Sequence, residues 1–258
     1  MKGVVLAGGL GTRLRPLTNI TNKHLLPVYD RPMIYYPIQA LVGAGIREVM
    51  VVTGGTSAGD FFRLLRNGEE FGLPHLHYAY QAGEGGIADA LCLARSFTED
   101  DRMCVFLGDN IVERSIRPVA EAFQRQADGA RVVLARAKNP QAYGVAEIEK
   151  GRLRRITEKP KRPRSNWIVT GIYFYDSSVY DIIATLTPSR RGELEITDVN
   201  NAYIRAGRMR FSRLKGWWAD CGEDLDTLLA AANLVARTAA KAAPRTPAGA
   251  SQERERGG

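Results

Sequence analysis

The sequence predicts an α/β fold in which helices cover both faces of a mostly parallel, twisted central sheet. Short β-rich runs alternate with amphipathic stretches through the first half of the chain, as expected for strands joined by helical crossovers. The run MCVFL at 103–107 is apolar throughout, which is typical of a strand buried on both faces. With 45% apolar residues in 258 positions, the chain can also bury the core that such a fold needs.

The elements of the first half follow this alternation in order. Residues 2–6 predict a first strand, and a long loop separates it from a helix at 32–43, where Pro32 suits the first helical turn. The later predicted strands are 48–53, 75–80, 103–107 and 131–137, and the later helices are 61–65, 87–94 and 116–126.

The second half is richer in β-structure. Gly151 is a turn residue between two strand-like runs, which predicts a hairpin. The predicted strands are 145–148, 153–157, 169–175 and 209–214, and the predicted helices are 179–186, 198–206 and 224–236. We therefore expect one Rossmann-like domain over residues 1–236, with a smaller β-rich part from about residue 138.

The composition of the tail and the distribution of charge bear on disorder and on nucleic-acid binding. Residues 237–258 contain almost no large apolar side chains, so we expect a disordered tail. The net charge is +8, but the arginines are scattered, which favours a solvated surface over a nucleic-acid platform. Binding of nucleic acid through the basic tail is the alternative, and we predict no nucleic-acid partner.

The cysteines and the apolar runs exclude other classes. Cys92, Cys104 and Cys221 are far apart and have no CxxC or histidine partner, so neither a disulfide framework nor a zinc site is predicted. No apolar run approaches the roughly 20 residues of a transmembrane helix, and Lys2 leads directly into a strand. We expect a cytoplasmic protein without a membrane partner.

The loop GGLGTRLRP at 8–16 is the most specific local signal. It follows the first strand, and ligands of open α/β sheets bind at the carboxyl ends of strands. Glycines let backbone N–H groups approach an anion, while Arg13 and Arg15 can pair with phosphate oxygens. The spacing matches neither a Walker loop nor GxGxxG. We interpret the loop as a phosphate cradle, and an ordinary glycine turn is the alternative.

Two aspartates are candidate metal ligands. Asp109, in LGDN, follows the buried strand at 103–107 and is expected at the same sheet edge. Mg²⁺ needs only one or two protein carboxylates beside substrate phosphates. Asp220 is the best second carboxylate, although its spacing fits equally well a residue that caps the last helix. Lys23 and Lys159 could meet substrate phosphates, but taken alone they fit solvated charges better.

Many ordered blocks resemble the short form of the glucose-1-phosphate thymidylyltransferases, within the sugar nucleotidyltransferase family. They cover the chain from Met1 to about Leu234. Two departures are Cys221, where the family usually has Thr or Ala, and His24, where it often has Gln. The blocks are KGVVLAGGLGTRLRPLT, NKHLLPVYDRPMIYYP, QAGEGGIADAL, FLGDNI, YGVAEI, ITEKPKRPRSN, VTGIYFYD, RGELEITDVNNAYI and GWWADCGEDLDTLL.

The resemblance implies a nucleotide-binding half at about 1–137 and a sugar-phosphate half at about 138–236. It implies catalytic roles for Arg13, Lys23 and Lys159, and magnesium ligands at Asp109 and Asp220. The implied nucleotide contacts are Leu6, Gly8, Gly9, Gly11, Thr12, Arg13, Gln81, Gly86 and Asp109. The implied sugar-phosphate contacts are Tyr143, Gly144, Glu158, Lys159 and Val169.

The activity implied by the resemblance is transfer of a thymidylyl group from dTTP to glucose 1-phosphate, with Mg²⁺ as cofactor and a homo-oligomer, dimer or tetramer, as the assembly. A hexose-1-phosphate nucleotidyltransferase that uses UTP or CTP is the first alternative. A nucleotide or sugar-phosphate sensor of the same fold, without catalysis, is the second.

Overall fold

Within residues 1–242, which the computed structural model describes, nine strands form one central sheet. The strands of the whole described region are β1 Lys2–Ala7, β2 Pro27–Val28, β3 Arg31–Pro32, β4 Val49–Gly54, β5 Leu76–Gln81, β6 Met103–Leu107, β7 Asn110–Val112, β8 Ala130–Arg136, β9 Gly144–Glu149, β10 Arg152–Glu158, β11 Trp167–Tyr175, β12 Met209–Arg213 and β13 Trp218–Asp220. The helices are α1 Tyr35–Gly43, α2 Ala58–Leu65, α3 Ile87–Cys92, α4 Arg95–Thr98, α5 Arg117–Gln124, α6 Val179–Ala184, α7 Ile196–Arg205 and α8 Leu225–Ala242.

The first half of the sheet is parallel. β1 lies between β4 and β6, and β5 lies beyond β4. Val4 pairs with Met50 on β4 and with Val105 on β6, and all of these strands run in the same direction. Their carboxyl ends therefore lie at one edge, where the loop after β1 meets the loop after β6.

The second half of the sheet is mixed. β11 runs antiparallel to β6, β8 and β9, while β10 forms an antiparallel hairpin with β9. β12 pairs in parallel with β8. Because β11 joins the parallel strands to the β9–β10 hairpin, it places the hairpin beside the loop-bearing edge.

Apolar side chains fill both faces of the sheet. Successive residues of β1 alternate, so that Val4 packs in one core and Val5 in the other. α3, α6 and α7 cover the first core, and α1, α2 and α5 cover the second. The predicted α/β fold, with helices on both faces, is confirmed.

A smaller core outside the main sheet carries the closing helix. Val28, Met33, Ile111, Cys221 and Ala231 are buried there together. They bring α8 against the β2–β3 hairpin and against the two-stranded ribbon of β7 and β13. Cys221 is thus a buried apolar contact, which is compatible with its departure from the usual Thr or Ala.

The prediction for Pro32 was wrong, since this residue lies in β3 and pairs with Pro27, and α1 begins at Tyr35. The hairpin holds the segment extended because Met33 N–H donates to Leu26 C=O at 2.9 Å. β2, β3, β7 and β13 were not predicted, because two or three residues give no usable periodicity.

The closing helix and the tail differ from prediction at one point. α8 continues to Ala242, beyond the predicted helix end at residue 236. The predicted disorder is therefore wrong for residues 237–242, and the rest of the predicted tail lies outside the described residues. In the described part of the chain, no helix combines the length and the apolar character needed to cross a membrane.

Candidate active site

Two adjoining cavities open at the carboxyl edge of the parallel strands. The larger, of about 340 Å³, lies against the loop after β1 and the loops that follow β5 and β6. The smaller, of about 140 Å³, lies between the β9–β10 hairpin, β11 and α7. Arg13, Ile87, Leu107 and Asp220 line both cavities, so the two spaces meet at these side chains.

Most of the residues predicted for nucleotide and metal line the larger cavity. Gly11 and Thr12 do not line it, and the nucleotide and metal contacts of the whole set stay predictions. Residues of the predicted set that line this cavity are Leu6, Gly8, Gly9, Arg13, Lys23, Gln81, Gly86, Asp109 and Asp220.

The loop after β1 requires glycine at two positions. A Cβ on Gly8 would stand 2.6 Å from Gln81 Oε1, and one on Gly11 would stand 2.8 Å from the Cβ of Lys23. Gly11 also has a φ of 67°, which favours glycine. The Gly11 carbonyl accepts a hydrogen bond of 2.8 Å from Thr18 Oγ1. The loop is therefore held in one shape by close packing and local hydrogen bonds.

Lys23, Asp109 and Asp220 form a buried charged centre. Lys23 Nζ lies 2.5 Å from Asp109 Oδ2, and each side chain is only 12% exposed. Asp109 Oδ1 accepts a second hydrogen bond, of 2.9 Å, from Asn110 Nδ2. Asp220 reaches the same place because it pairs with Asn110 across β13 and β7, and because Cys221 N–H donates to the Asp109 carbonyl.

The charges of this centre are unequal. Burial alone would raise the pKa of Asp109, but the Lys23 ammonium outweighs it and holds that pKa well below its usual range. Burial would lower the pKa of Lys23, yet the Asp109 charge raises it. Burial and the nearby Asp109 charge raise the pKa of Asp220 to about 7. Lys23 is therefore shared between two carboxylates, and the ionised form of Asp220 is the less stabilised of the two.

The approach of these groups depends on Gly222. A Cβ at this position would stand 2.3 Å from Asp109 Oδ2 and 2.6 Å from Lys23 Nζ. The alternative in which Asp220 caps the last helix is wrong, since Asp224 Oδ1 accepts the hydrogen bond from Thr227 N–H at the start of α8, at 2.7 Å. Asp220 Oδ1 instead accepts from Gly222 N–H at 2.9 Å.

His24 supports the same region as a neutral side chain. It is 2% exposed, and burial, together with the charge of Lys23, lowers its pKa to about 3. Its Nδ1 lies 2.7 Å from Asn22 Oδ1, so the neutral ring donates there. A Cβ on Gly108 would stand 2.6 Å from the ring, so the histidine fills the space under the turn that carries Asp109.

The smaller cavity gathers every residue predicted for the sugar phosphate. Thr197 Oγ1 donates to Glu158 Oε2 at 2.6 Å, and the Tyr143 hydroxyl donates to Glu223 Oε2 at 2.8 Å. Lys159 is exposed, and its N–H donates to the Tyr143 carbonyl at 3.1 Å. The predicted residues that line this cavity are Tyr143, Gly144, Glu158, Lys159 and Val169.

Comparison with a family model now identifies the chain, because residues 2–238 match the nucleotidyl transferase model. The chain belongs to the nucleotidyl transferase family. The glucose-1-phosphate thymidylyltransferase of Neisseria meningitidis serogroup A is 44% identical over 226 residues, covering 86% of this chain and 78% of the relative. The enzyme of the same name from Actinoplanes is 44% identical over 234 residues, covering 89% and 77%.

A solved structure with a related name is also similar to this chain. It is a crystal structure of a Bacillus anthracis protein, provisionally assigned as a glucose-1-phosphate thymidylyltransferase, in complex with sucrose. It has 47% sequence identity to this nucleotidyl transferase and a TM-score of 0.87, covering 91% of this chain and 94% of the other.

Sequence reasoning missed Asn110 and Glu223 in this nucleotidyl transferase. Asn110 is buried, and its Oδ1 accepts from Trp218 Nε1 at 2.6 Å and from Gly171 N–H at 2.9 Å. It therefore ties β7, β11 and β13 together beside Asp109. Its place directly after Asp109 in LGDN was the available signal. Glu223 gave no signal, because only the fold brings it to Tyr143.

The neighbouring side chains of Trp217 and Trp218 lie in different surroundings. Trp218 lines the smaller cavity and meets the Tyr143 ring edge-on, with centroids 5.3 Å apart. Trp217 packs in the core under α8, where its Nε1 donates to Thr238 Oγ1 at 3.1 Å. Neither ring lines the larger cavity.

The carboxylates of this nucleotidyl transferase fit a magnesium ion. In residues 1–242 no three His, Cys, Asp or Glu side chains form a complete metal-binding group. Mg²⁺ does not require one, since it takes one or two carboxylates together with substrate phosphates and water. Asp109 and Asp220 supply hard oxygen ligands, and a divalent cation bound there would favour the ionised form of Asp220, whose pKa is raised.

Proposed function

We propose that this nucleotidyl transferase transfers a thymidylyl group from dTTP to glucose 1-phosphate, giving dTDP-glucose and pyrophosphate. The observation that carries this proposal is the pair of cavities that meet at Arg13 and Asp220. One cavity offers a glycine loop for a triphosphate, and the other offers polar groups for a sugar phosphate. The names and the identities of the relatives support the choice of substrates.

In this proposal each substrate occupies one cavity. The loop from Gly8 to Thr12 and the Arg13 guanidinium bind the triphosphate of dTTP, and Gln81 and Gly86 contact its base. Glu158, Val169 and their neighbours bind the hexose, and Lys159 binds the phosphate of glucose 1-phosphate. The α-phosphorus of dTTP would then lie near the junction of the cavities.

The reaction is a single in-line displacement. A phosphate oxygen of glucose 1-phosphate forms a bond to the α-phosphorus of dTTP, and the bond from that phosphorus to the bridging oxygen breaks, releasing pyrophosphate. The attacking oxygen is already anionic at neutral pH, so no general base and no covalent enzyme intermediate are needed. Positioning and charge neutralisation carry the rate.

Charged side chains supply most of this effect. Arg13 stabilises the negative charge that develops on pyrophosphate, Lys159 aligns the attacking phosphate, and Lys23 holds Asp109 ionised. Mg²⁺ held by Asp109 and Asp220 would neutralise phosphate charge when bound.

We further propose that the protein works in the cytoplasm as a homo-oligomer, a dimer or tetramer. Light scattering coupled to gel filtration measures the molar mass of the assembly and tests its oligomeric state.

The test is a substrate panel. Purified protein receives glucose 1-phosphate, Mg²⁺ and either dTTP, UTP or CTP, and pyrophosphate release is followed. We expect the highest kcat/KM with dTTP. A clear preference for UTP or CTP would support the first alternative. Binding of dTTP by calorimetry without turnover of any triphosphate would support a sensor.

A further inference from the structure

The Gln81 amide, at the end of β5, has both hydrogens of its nitrogen engaged within the protein. Nε2 donates to Asp89 Oδ2 at 2.9 Å and to the Gly86 carbonyl at 3.3 Å. A primary amide nitrogen has only these two hydrogens to give. Oε1 lies on the side of Gly8, since a Cβ there would be 2.6 Å from it, and both residues line the larger cavity.

The chemistry of the partners decides which way the amide faces. Asp89 and the Gly86 carbonyl present only acceptor oxygens, so a flipped amide would place Oε1 against both of them and lose both hydrogen bonds. The bond to Asp89 is charge-assisted and is therefore the stronger of the two. Gln81 is 6% exposed, so water cannot readily replace these partners.

The position of the Asp89 carboxylate is itself determined by the loop and by α3. A Cβ on Gly85 would stand 2.5 Å from Asp89 Cγ, so the carboxylate occupies space that only glycine leaves. Asp89 lies in the first turn of α3, where the positive end of the helix dipole favours a negative side chain. The sequence pattern GGIAD therefore places a carboxylate against the Gln81 amide.

We propose that Asp89 is a positioning residue for base selection, because it holds the Gln81 amide with its oxygen toward the nucleotide cavity. This inference rests on the proposed function. Thymine and uracil carry an N–H at ring position 3 and can donate to that oxygen. Cytosine has a lone pair at the same atom, so two acceptors would face each other. A site that hydrogen-bonds one substrate rejects an analogue that cannot reciprocate.

The experiment compares base selection in Asp89→Asn and in the unaltered protein. The asparagine amide can donate to Gln81 Oε1, so only the longer hydrogen bond to the Gly86 carbonyl then opposes a flip of the Gln81 amide. We expect kcat/KM for CTP relative to dTTP to rise at least about tenfold. The ratio for UTP relative to dTTP should stay within about twofold, because both bases carry the same N–H. An equal loss with all three triphosphates would show that Asp89 only supports α3, and would overturn the proposal.

Two further variants complete the test. Gly85→Ala should displace the carboxylate without removing it and give the same change in the CTP ratio, which covers the case in which Asp89→Asn does not fold. Asp181→Asn, an exposed aspartate on α6, is the matched control and should leave all ratios unchanged. If the unaltered protein does not use dTTP, the proposed function fails. If it does and the ratios of both variants are unchanged, only the role of Asp89 fails.

Discussion

The two cavities differ in how their polar groups are held. In the larger cavity, Lys23 and Asp109 form a mostly buried ion pair. Their contact depends on strand pairing and on the absence of a side chain at Gly222. In the smaller cavity, the hydroxyl of Tyr143 donates to Glu223, and Glu158 accepts from a threonine hydroxyl. Lys159 is exposed there. Buried charges are costly to disturb, whereas exposed groups are weakly coupled to their neighbours. Substitutions on the nucleotide side should therefore impair turnover, and those on the sugar side should weaken binding.

The largest effect is expected for Asp109→Asn. This change keeps the shape but leaves Lys23 buried without its partner and removes one candidate magnesium ligand. Turnover should fall about a hundredfold, roughly 2.7 kcal/mol of transition-state stabilisation. Steady-state kinetics should be measured below the midpoint of thermal unfolding, because the unpaired lysine also lowers stability. Unchanged kcat would remove Asp109 from the catalytic centre.

Gly222→Ala should be the next most harmful change. Its methyl group would collide with Asp109 Oδ2 and Lys23 Nζ, and the separation of these charged groups should lower kcat about thirtyfold. Gly59→Ala is the matched control, since a Cβ there meets nothing within 4 Å and the residue lies in α2, where alanine is favoured. Equal kcat values for the two variants would contradict a tightly packed charged centre.

A smaller and different effect is expected for Lys159→Gln. Loss of an exposed cation from the smaller cavity should raise KM for glucose 1-phosphate about tenfold, while KM for dTTP changes little. Lys161→Gln, two residues further along the same exposed segment but absent from the cavity lining, is the control. A rise in KM for dTTP alone would place Lys159 with the wrong substrate.

The smallest effect is expected for Tyr143→Phe. The change removes the hydroxyl that donates to Glu223 and keeps the ring that meets Trp218. Tyr143 and Glu223 are only partly buried, so water can replace this hydrogen bond to the carboxylate in part, and KM for glucose 1-phosphate should rise only about threefold to fivefold, with kcat nearly unchanged. A hundredfold loss of kcat would contradict the expectation that substitutions in the smaller cavity weaken binding and leave turnover nearly unchanged.

Local sequence determined those parts of the site that follow directly from single strands. The glycine loop follows β1 and Asp109 follows β6, and parallel strands end at the same edge, so their proximity could be predicted. Strands and helices with clear apolar periodicity were predicted with errors mainly at their ends, because the terminal residues have few packing constraints.

The tertiary structure decided the remaining contacts. Asp220 could be a cap or a ligand by its spacing, and only the pairing of β13 with β7 placed it beside Asp109. The contacts of Gln81 with Asp89 and of Tyr143 with Glu223 likewise depend on how loops pack against neighbouring elements. A pattern in the chain specifies which face of an element is apolar, but distances between separate elements arise only when their faces pack together.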